Sequence, residues 1–389
     1  MIAFANNLLY NRNMSKILII VTKGEVGGAQ MSVFNLAKKL KDLGEEVCVG
    51  FGNGDFLRNK LVESSIPFYQ FKYLKRTHDP LASLFFVYEL QTFLDKNNFQ
   101  AVHFNSSNSL FGAIGAKLSK QKIKTIFTLR GMSLLDKNYQ TNQILKYFYF
   151  YLFKFLLSFI DAKVFVSRNN YKYALEANLL KTGHVVYNGL DKNELDFLPA
   201  ETSRQFFSKT TQIDLSDKII IGSIGRLDYA KNFEFLINNF RYILAAEKKA
   251  VLVVIGGGKE KDVYQKLIRS KNLDNKIFLL DEITNAYQYI NGFDIFTLPS
   301  RYEGLSITLI EALSSQVPIL ASDVGGNNEL LPDERELFRL NDINDFTNKL
   351  KVIINDTKIR KELVTHNNEQ SNKFDIKVTA QKYLEIYQS

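Results

Sequence analysis

Twelve short apolar runs, each followed by a helix-like or glycine-rich stretch, limit what this chain can fold into. Seven lie in the first half: KILIIVT (16–22), EEVCVGF (45–51), IPFYQF (66–71), FQAVHF (99–104), KTIFTL (124–129), AKVFVS (162–167) and HVVYN (184–188). Five follow in the second: KIIIGSIG (218–225), AVLVVIG (250–256), KIFLL (276–280), FDIFTLPS (293–300) and VPILAS (317–322). Runs this apolar and this short read as strands buried on both faces. The stretches between them carry helical spacing: in AQMSVFNLAKKLKDLG (29–44), Val33, Leu36, Ala37, Leu40 and Leu43 recur at intervals of three and four. Strand–helix alternation of this kind implies a parallel sheet wrapped by helices, here twice over.

A polar stretch at 191–217 separates the two series, so the expected organisation is α/β with two doubly wound, Rossmann-like domains. The first takes residues 1–191 and the second 192–371. Residues 372–389 form a closing helix, either completing the second domain or crossing back over the first. The globular part is expected to begin near Met14, leaving residues 1–13 outside it. In such pairs the ligand sits at the carboxyl ends of the strands, in the cleft between domains. With 46% hydrophobic and 23% charged residues, the composition excludes a disordered or fibrous protein. A single cysteine, Cys48, excludes an internal disulfide and a cysteine-based zinc cluster, and fits a reducing, cytoplasmic setting. No run reaches the roughly 18 apolar residues of a membrane-spanning helix.

The net charge of +9 is uneven: residues 1–190 hold 24 Lys and Arg against 12 Asp and Glu, and the remainder is slightly acidic. A basic half suggests an anionic membrane surface or nucleic acid as partner. Nucleic acid is disfavoured, because no aromatic–basic RNA motif or helix-turn-helix context accompanies the charge. The aromatic segment LKYFYFYLFKFLLSFI (145–160) leaves two readings open. It is a helix buried on all sides or packed under the domain cleft, or an interfacial helix whose rings enter a headgroup layer while Lys146 and Lys154 snorkel.

Four strand ends carry candidate chemistry. Gly24, Gly27 and Gly28 follow the first strand and open a helix, where the backbone can approach an anion; a plain tight turn is the alternative. The G-x-x-G-G spacing differs from the dinucleotide fingerprint, which disfavours a nicotinamide cofactor. Arg226 and Lys231 sit five residues apart across a strand-to-helix turn and could converge on one diphosphate. In LPSRYEGLSITLIEAL (298–313), Glu303 precedes a helix and Glu311 lies two turns into it, while Gly304, Leu305 and Ser306 would offer helix-start N–H groups. ASDVGGNNEL (321–330) ends a further strand with a glycine pair, and by itself reads as a turn.

Taken together, these motifs resemble the family 4 retaining glycosyltransferases of the GT-B fold, from about Met14 to Leu331 and most specifically in the second half. The resemblance implies that Arg226 and Lys231 bind the donor diphosphate, that Glu311 holds the nucleotide ribose and that Glu303 faces the donor sugar. Gly27, Gly28, Gly304, Leu305 and Ser306 would complete the donor site, with the base, most simply uridine, near Glu282 and Ile283. The leaving phosphate would itself accept the acceptor's proton, so no general base and no metal or other cofactor is required. The implied acceptor is a lipid-linked glycan or other saccharide of surface polysaccharide assembly, bound by the first domain on the inner face of the cell membrane. His103 and Asn105, at the end of FQAVHFN, and Arg130 are the candidate acceptor contacts, with a histidine packed into the strand edge as the favoured alternative for His103. Two positions depart from the family. Arg130 stands in Thr128-Leu129-Arg130-Gly131 where many relatives have histidine, and Gln316 stands where glycine is usual. Arg130 therefore joins Glu303, Arg226 and Lys231 as a candidate catalytic residue. Two alternatives stay open: a sugar-nucleotide epimerase of the same fold, and a catalytically silent sugar-nucleotide-binding subunit.

Overall fold

A computed structural model describes residues 16–77, 79–131 and 142–389. The start near Met14 and residues 1–13 lie outside the described residues. Every apolar run contains a strand. The first sheet comprises β1 (Lys16–Val21), β2 (Glu46–Phe51), β3 (Phe68–Gln70), β4 (Ala101–Phe104), β5 (Lys124–Leu129), β6 (Ala162–Phe165) and β7 (His184–Val185), in the order β3-β2-β1-β4-β5-β6-β7. The second comprises β8 (Ile219–Ile224), β9 (Ala250–Ile255), β10 (Ile277–Leu280), β11 (Ile295–Leu298), β12 (Ile319–Ser322) and β13 (Leu337–Phe338), in the order β10-β9-β8-β11-β12-β13. All neighbouring strands are parallel. Each sheet reverses its winding between its first and fourth strand, β1/β4 and β8/β11, and such a switch opens a crevice at the carboxyl ends of the strands.

Burial on both faces explains the unbroken apolar runs: Ile17, Leu18, Ile19 and Ile20 are inaccessible, and the whole of β9 is buried. Each such side chain contributes about 1.5–3 kcal/mol of transfer free energy. The helix Gly28–Asp42 turns Val33, Leu36, Ala37 and Leu40 inward, as the three–four spacing requires.

The polar stretch 191–217 contains more than a connection. A helix, Ala200–Thr211, buries Ser203 and Phe207, and the Phe207 ring stacks on Phe293 at 5.2 Å. The helix is strongly polar on its outer face, which hid its inner one from a reading by composition. The two-residue strand β13 carries too little apolar sequence to stand out.

The closing helix, Ile376–Gln388, packs on the first sheet, where Ala380, Leu384 and Ile386 share a core with Ile17, Ile19 and Val33. The chain leaves and re-enters the first domain side by side: Leu190 N donates to Phe374 O at 2.9 Å and Ile376 N donates to Leu190 O at 3.0 Å.

The aromatic segment forms the helix Gln143–Leu157, and the reading that buries it on all sides fails. Only Leu156 and Leu157 are buried, whereas Ile144, Tyr147, Phe148, Tyr151 and Phe155 are each more than half exposed. No helix among the described residues is long and apolar enough to cross a membrane.

Candidate active site

The carboxyl ends of the two sheets face one another across a cavity of about 450 Å³. Two loops build its second-domain wall and lock each other in place. After β8 the chain turns through Arg226 to Asn232, a residue in the left-handed region (φ 57°) whose amide nitrogen donates to Pro299 O at 3.0 Å. After β11, Arg301 N donates to Ala230 O at 2.8 Å and the Arg301 guanidinium donates to Tyr229 O at 2.6 Å.

This bracing fixes Lys231 against Glu303. The Lys231 ammonium lies 2.6 Å from Glu303 Oε1, which also accepts from the Ser300 hydroxyl at 2.7 Å. Both side chains of the ion pair are largely shielded, at 15% and 12% exposure, so the pair keeps much of its Coulombic strength. Arg226 lies 3.3 Å from Asp228 and is 61% exposed, which leaves its guanidinium accessible to an anion in the cleft.

Beyond Glu303, Ser306 caps the helix Ile307–Leu313 through its hydroxyl, which accepts from Leu309 N at 3.4 Å. The backbone N–H groups of Gly304, Leu305 and Ser306 have no acceptor among the described residues. Glu311, two turns into the motif, lines the cavity without a hydrogen-bond partner among the described residues, and burial pushes its carboxyl up to about 8. Glu282 and Ile283 line the same cavity beyond β10.

The first domain closes the cleft with Gly27, Gly28 and Arg130. Contact with the second domain is tight: a Cβ on Gly304 would lie 1.9 Å from Arg130 O, so only glycine fits there. The Arg130 guanidinium is fixed by two amide oxygens, Asn188 Oδ1 at 2.8 Å and Asn105 Oδ1 at 2.6 Å. Its Nε is buried without a partner, and burial lowers the group below its ordinary value.

Thus Glu303, Arg226, Lys231, Arg130, Gly27, Gly28, Glu282, Ile283, Gly304, Leu305, Ser306 and Glu311 all line one cavity. His103 and Asn105 do not, and their assignment to the acceptor is corrected. His103 shares the face of β4 occupied by Ala101, which the closing helix covers. It is inaccessible, with Nδ1 2.8 Å from the Tyr387 hydroxyl and Nε2 2.7 Å from the Thr128 hydroxyl. Burial and the nearby Arg130 hold it well below the usual histidine range, hence neutral. Asn105, 1% exposed, reaches the cleft through its bond to Arg130.

Asn188, at the end of the run HVVYN (184–188), also lines the cavity and joins the domains: its Nδ2 donates to Leu305 O at 2.9 Å while its Oδ1 holds Arg130. The only sequence signal was its place in VYNGLD (186–191). Among the described residues, no three His, Cys, Asp or Glu side chains gather as a metal site.

The pattern defining "Glycosyltransferase Family 4" matches residues 26–194, and that of "Glycosyl transferases group 1" matches residues 204–370. One similar protein is the N-acetylgalactosamine-N,N'-diacetylbacillosaminyl-diphospho-undecaprenol 4-alpha-N-acetylgalactosaminyltransferase of Campylobacter jejuni, 30% identical over 59% of this chain; the aligned part spans 63% of that relative's own length. The O-antigen biosynthesis glycosyltransferase WbnH of Escherichia coli is 27% identical over 96% of this chain and 99% of its own. Among solved structures, HepE of Anabaena in complex with UDP and glucose superposes with a TM-score of 0.80 at 20% identity, over 96% of this chain and 99% of its own. That likeness concerns the fold.

Proposed function

The chain belongs to the family 4 glycosyltransferases of the GT-B fold, and on that premise we propose that it transfers a sugar from a UDP-linked donor, with retention, to a lipid-linked or saccharide acceptor in surface polysaccharide synthesis. One observation carries the reading. The shielded Lys231–Glu303 pair, the exposed Arg226, the buried Glu311 carboxyl and the amides of the 304–306 loop line a single cleft. Each has a partner in a sugar nucleotide: Lys231 and Arg226 the diphosphate, Glu311 the ribose hydroxyls, Glu303 the donor sugar, and the loop amides the phosphate oxygens.

In the step itself, the bond from the anomeric carbon to the β-phosphate oxygen breaks, and the acceptor hydroxyl bonds that carbon from the same face. Its proton passes to the departing phosphate oxygen. Negative charge grows on that oxygen, beside the Lys231 ammonium and within reach of the Arg226 guanidinium. Cations set in place before the reaction stabilise such charge by roughly 3–4 kcal/mol per well-placed donor. With the positive charge supplied by these side chains, we take the reaction to need no metal.

The acceptor would enter from the first domain, past Arg130. The exposed rings of the helix Gln143–Leu157, in the half that carries the excess of Lys and Arg, suit an anionic membrane at whose inner face a lipid-linked acceptor would be presented. Replacing Tyr147, Phe148 and Tyr151 together by serine should abolish flotation with phosphatidylglycerol vesicles. Retained flotation rejects this surface.

The donor site is tested by thermal melting with UDP, GDP, ADP and NAD, on the natural chain and on Arg226→Ala. At about 100 times its dissociation constant a ligand adds roughly 2.7 kcal/mol. UDP should raise the melting point of the natural chain and lose that effect in the variant; a shift by NAD alone, or by none of the four, sinks the assignment. Incubation with UDP-sugar and no acceptor should give slow hydrolysis at most, whereas an isomerised sugar nucleotide would show an epimerase. Activity surviving EDTA supports the metal-free step, and its loss refutes it.

A further inference from the structure

The turn after β12 reaches across the domain boundary. In the first domain, the helix Arg168–Glu176 begins on Ser167, whose hydroxyl accepts from Asn170 N and whose carbonyl accepts from Tyr171 N, both at 3.2 Å. Its other two starting amides are satisfied by the second domain: Arg168 N donates to Glu329 Oε2 at 2.9 Å and Asn169 N donates to Glu329 Oε1 at 2.8 Å. A carboxylate at this end of a helix also meets the positive pole of its dipole.

Two further side chains reinforce the junction. The Tyr187 hydroxyl, on the segment that leaves the first domain, donates to Glu329 Oε2 at 2.8 Å. Burial and that carboxylate push the phenol up to about 12, so it remains the donor at neutral pH. The Asn169 amide nitrogen donates to Gly325 O and to Asn328 Oδ1.

On its other side the same turn backs the catalytic loop. Gly325 adopts φ 53°, and a Cβ there would stand 2.0 Å from Glu303 O; one on Gly326 would stand 2.2 Å from Gly304 O. Glu329 does not line the cavity. It links the amide end of a first-domain helix to the turn on which Glu303 and Gly304 rest.

We propose that Glu329 is a positioning residue: its carboxylate latches the two domains in the register that sets Arg130, on the first-domain wall, opposite the donor site around Glu303. This deepens the transfer reading, and its kinetic arm rests on that reading. The latch itself is decided independently of it, by amide exchange.

Full-length Glu329→Ala and Glu329→Gln are compared with the natural chain in amide hydrogen exchange, UDP binding and sugar transfer from a UDP-sugar. In Glu329→Ala, exchange at Arg168 and Asn169 should quicken about tenfold or more, since both amides lose their acceptors. UDP affinity and donor KM should stay within about twofold, because Arg226, Lys231, Glu311 and the 304–306 amides, which carry the charged UDP contacts proposed above, all belong to the second domain, while kcat falls about tenfold or more through lost alignment. Glutamine retains one amide-accepting oxygen, so Glu329→Gln should recover part of both losses. Tyr187→Phe, which removes one bond to the carboxylate, should shift exchange and kcat less, in the same direction, and stands in if Glu329→Ala does not fold.

Unchanged exchange at Arg168 and Asn169 overturns the latch. Faster exchange with unchanged kcat overturns the positioning role. Donor KM and kcat worsening equally, with no recovery in Glu329→Gln, would mark a merely structural residue and also overturn it. If the natural chain transfers no sugar, the transfer reading fails, and the exchange result still decides whether Glu329 joins the domains.

Discussion

Replacing Glu311 by glutamine should make the empty protein more stable and the loaded one weaker. The carboxyl of Glu311 lines the cleft without a hydrogen-bond partner among the described residues, and burial raises it from 4.5 to about 8. Below pH 4.5 the carboxyl is protonated in both the folded and the unfolded chain and has no effect on stability. Between 4.5 and about 8 the unfolded chain has released this proton while the folded chain retains it, so stability falls as pH rises. The slope is at most about 1.4 kcal/mol per pH unit. Because the group faces an open cleft rather than a sealed core, screening reduces the accumulated loss to about 1–2 kcal/mol at pH 8. Glu311→Gln removes that loss. Its melting point should match the natural chain at pH 4 and exceed it by a few degrees at pH 8. In the same variant UDP affinity measured above pH 8, where the natural carboxyl is ionised, should fall about tenfold or more, since a carboxylate accepting ribose hydroxyls makes charge-assisted bonds that an amide does not. Melting curves at several pH values and calorimetric titration with UDP read both effects. Parallel melting-point profiles for the two proteins would falsify the burial argument, and unchanged UDP affinity the ribose assignment.

Three other outcomes follow from the same geometry. Lys231→Ala removes the cation beside Glu303, and kcat for transfer should fall about 100- to 1000-fold with the fold intact by circular dichroism. Gly304→Ala places a Cβ 1.9 Å from Arg130 O, so the domains must part; a loss of about 1–3 kcal/mol is expected in thermal melting, with a larger radius in solution scattering. His103→Gln breaks the bonds to Tyr387 and Thr128 without touching the cleft. It should lower the melting point and leave acceptor KM unchanged; a raised KM would return His103 to the acceptor site.

The strands were legible in sequence because a parallel sheet covered on both faces demands unbroken apolar runs, a local property of chemistry and order. The helix Ala200–Thr211 was not, since one buried ring, Phe207, anchors an otherwise polar segment. The second-domain residues of the cleft were legible because they cluster at strand ends within short stretches: Arg226 with Lys231, and Glu303 with Glu311. Glycine or charge at the carboxyl end of a parallel strand points into the crevice almost regardless of the rest of the chain.

What depended on distant residues could be decided only by the tertiary structure. His103 and Arg130 lie at the ends of adjacent strands and look alike as acceptor candidates. Tyr387, 284 residues beyond His103, covers the histidine with the closing helix, while Arg130 stays in the cleft, held by Asn105 and Asn188. Glu329 reads as part of a turn until folding brings it to the amides of Arg168 and Asn169, about 160 residues away. The sequence by itself determined two parallel-sheet domains and the residues at their strand ends, because periodicity and strand-end chemistry are local. Which of those residues meet the cleft, and how the two domains are held to one another, was decided by tertiary contacts, because burial and hydrogen-bond partners are set by what the rest of the chain packs alongside.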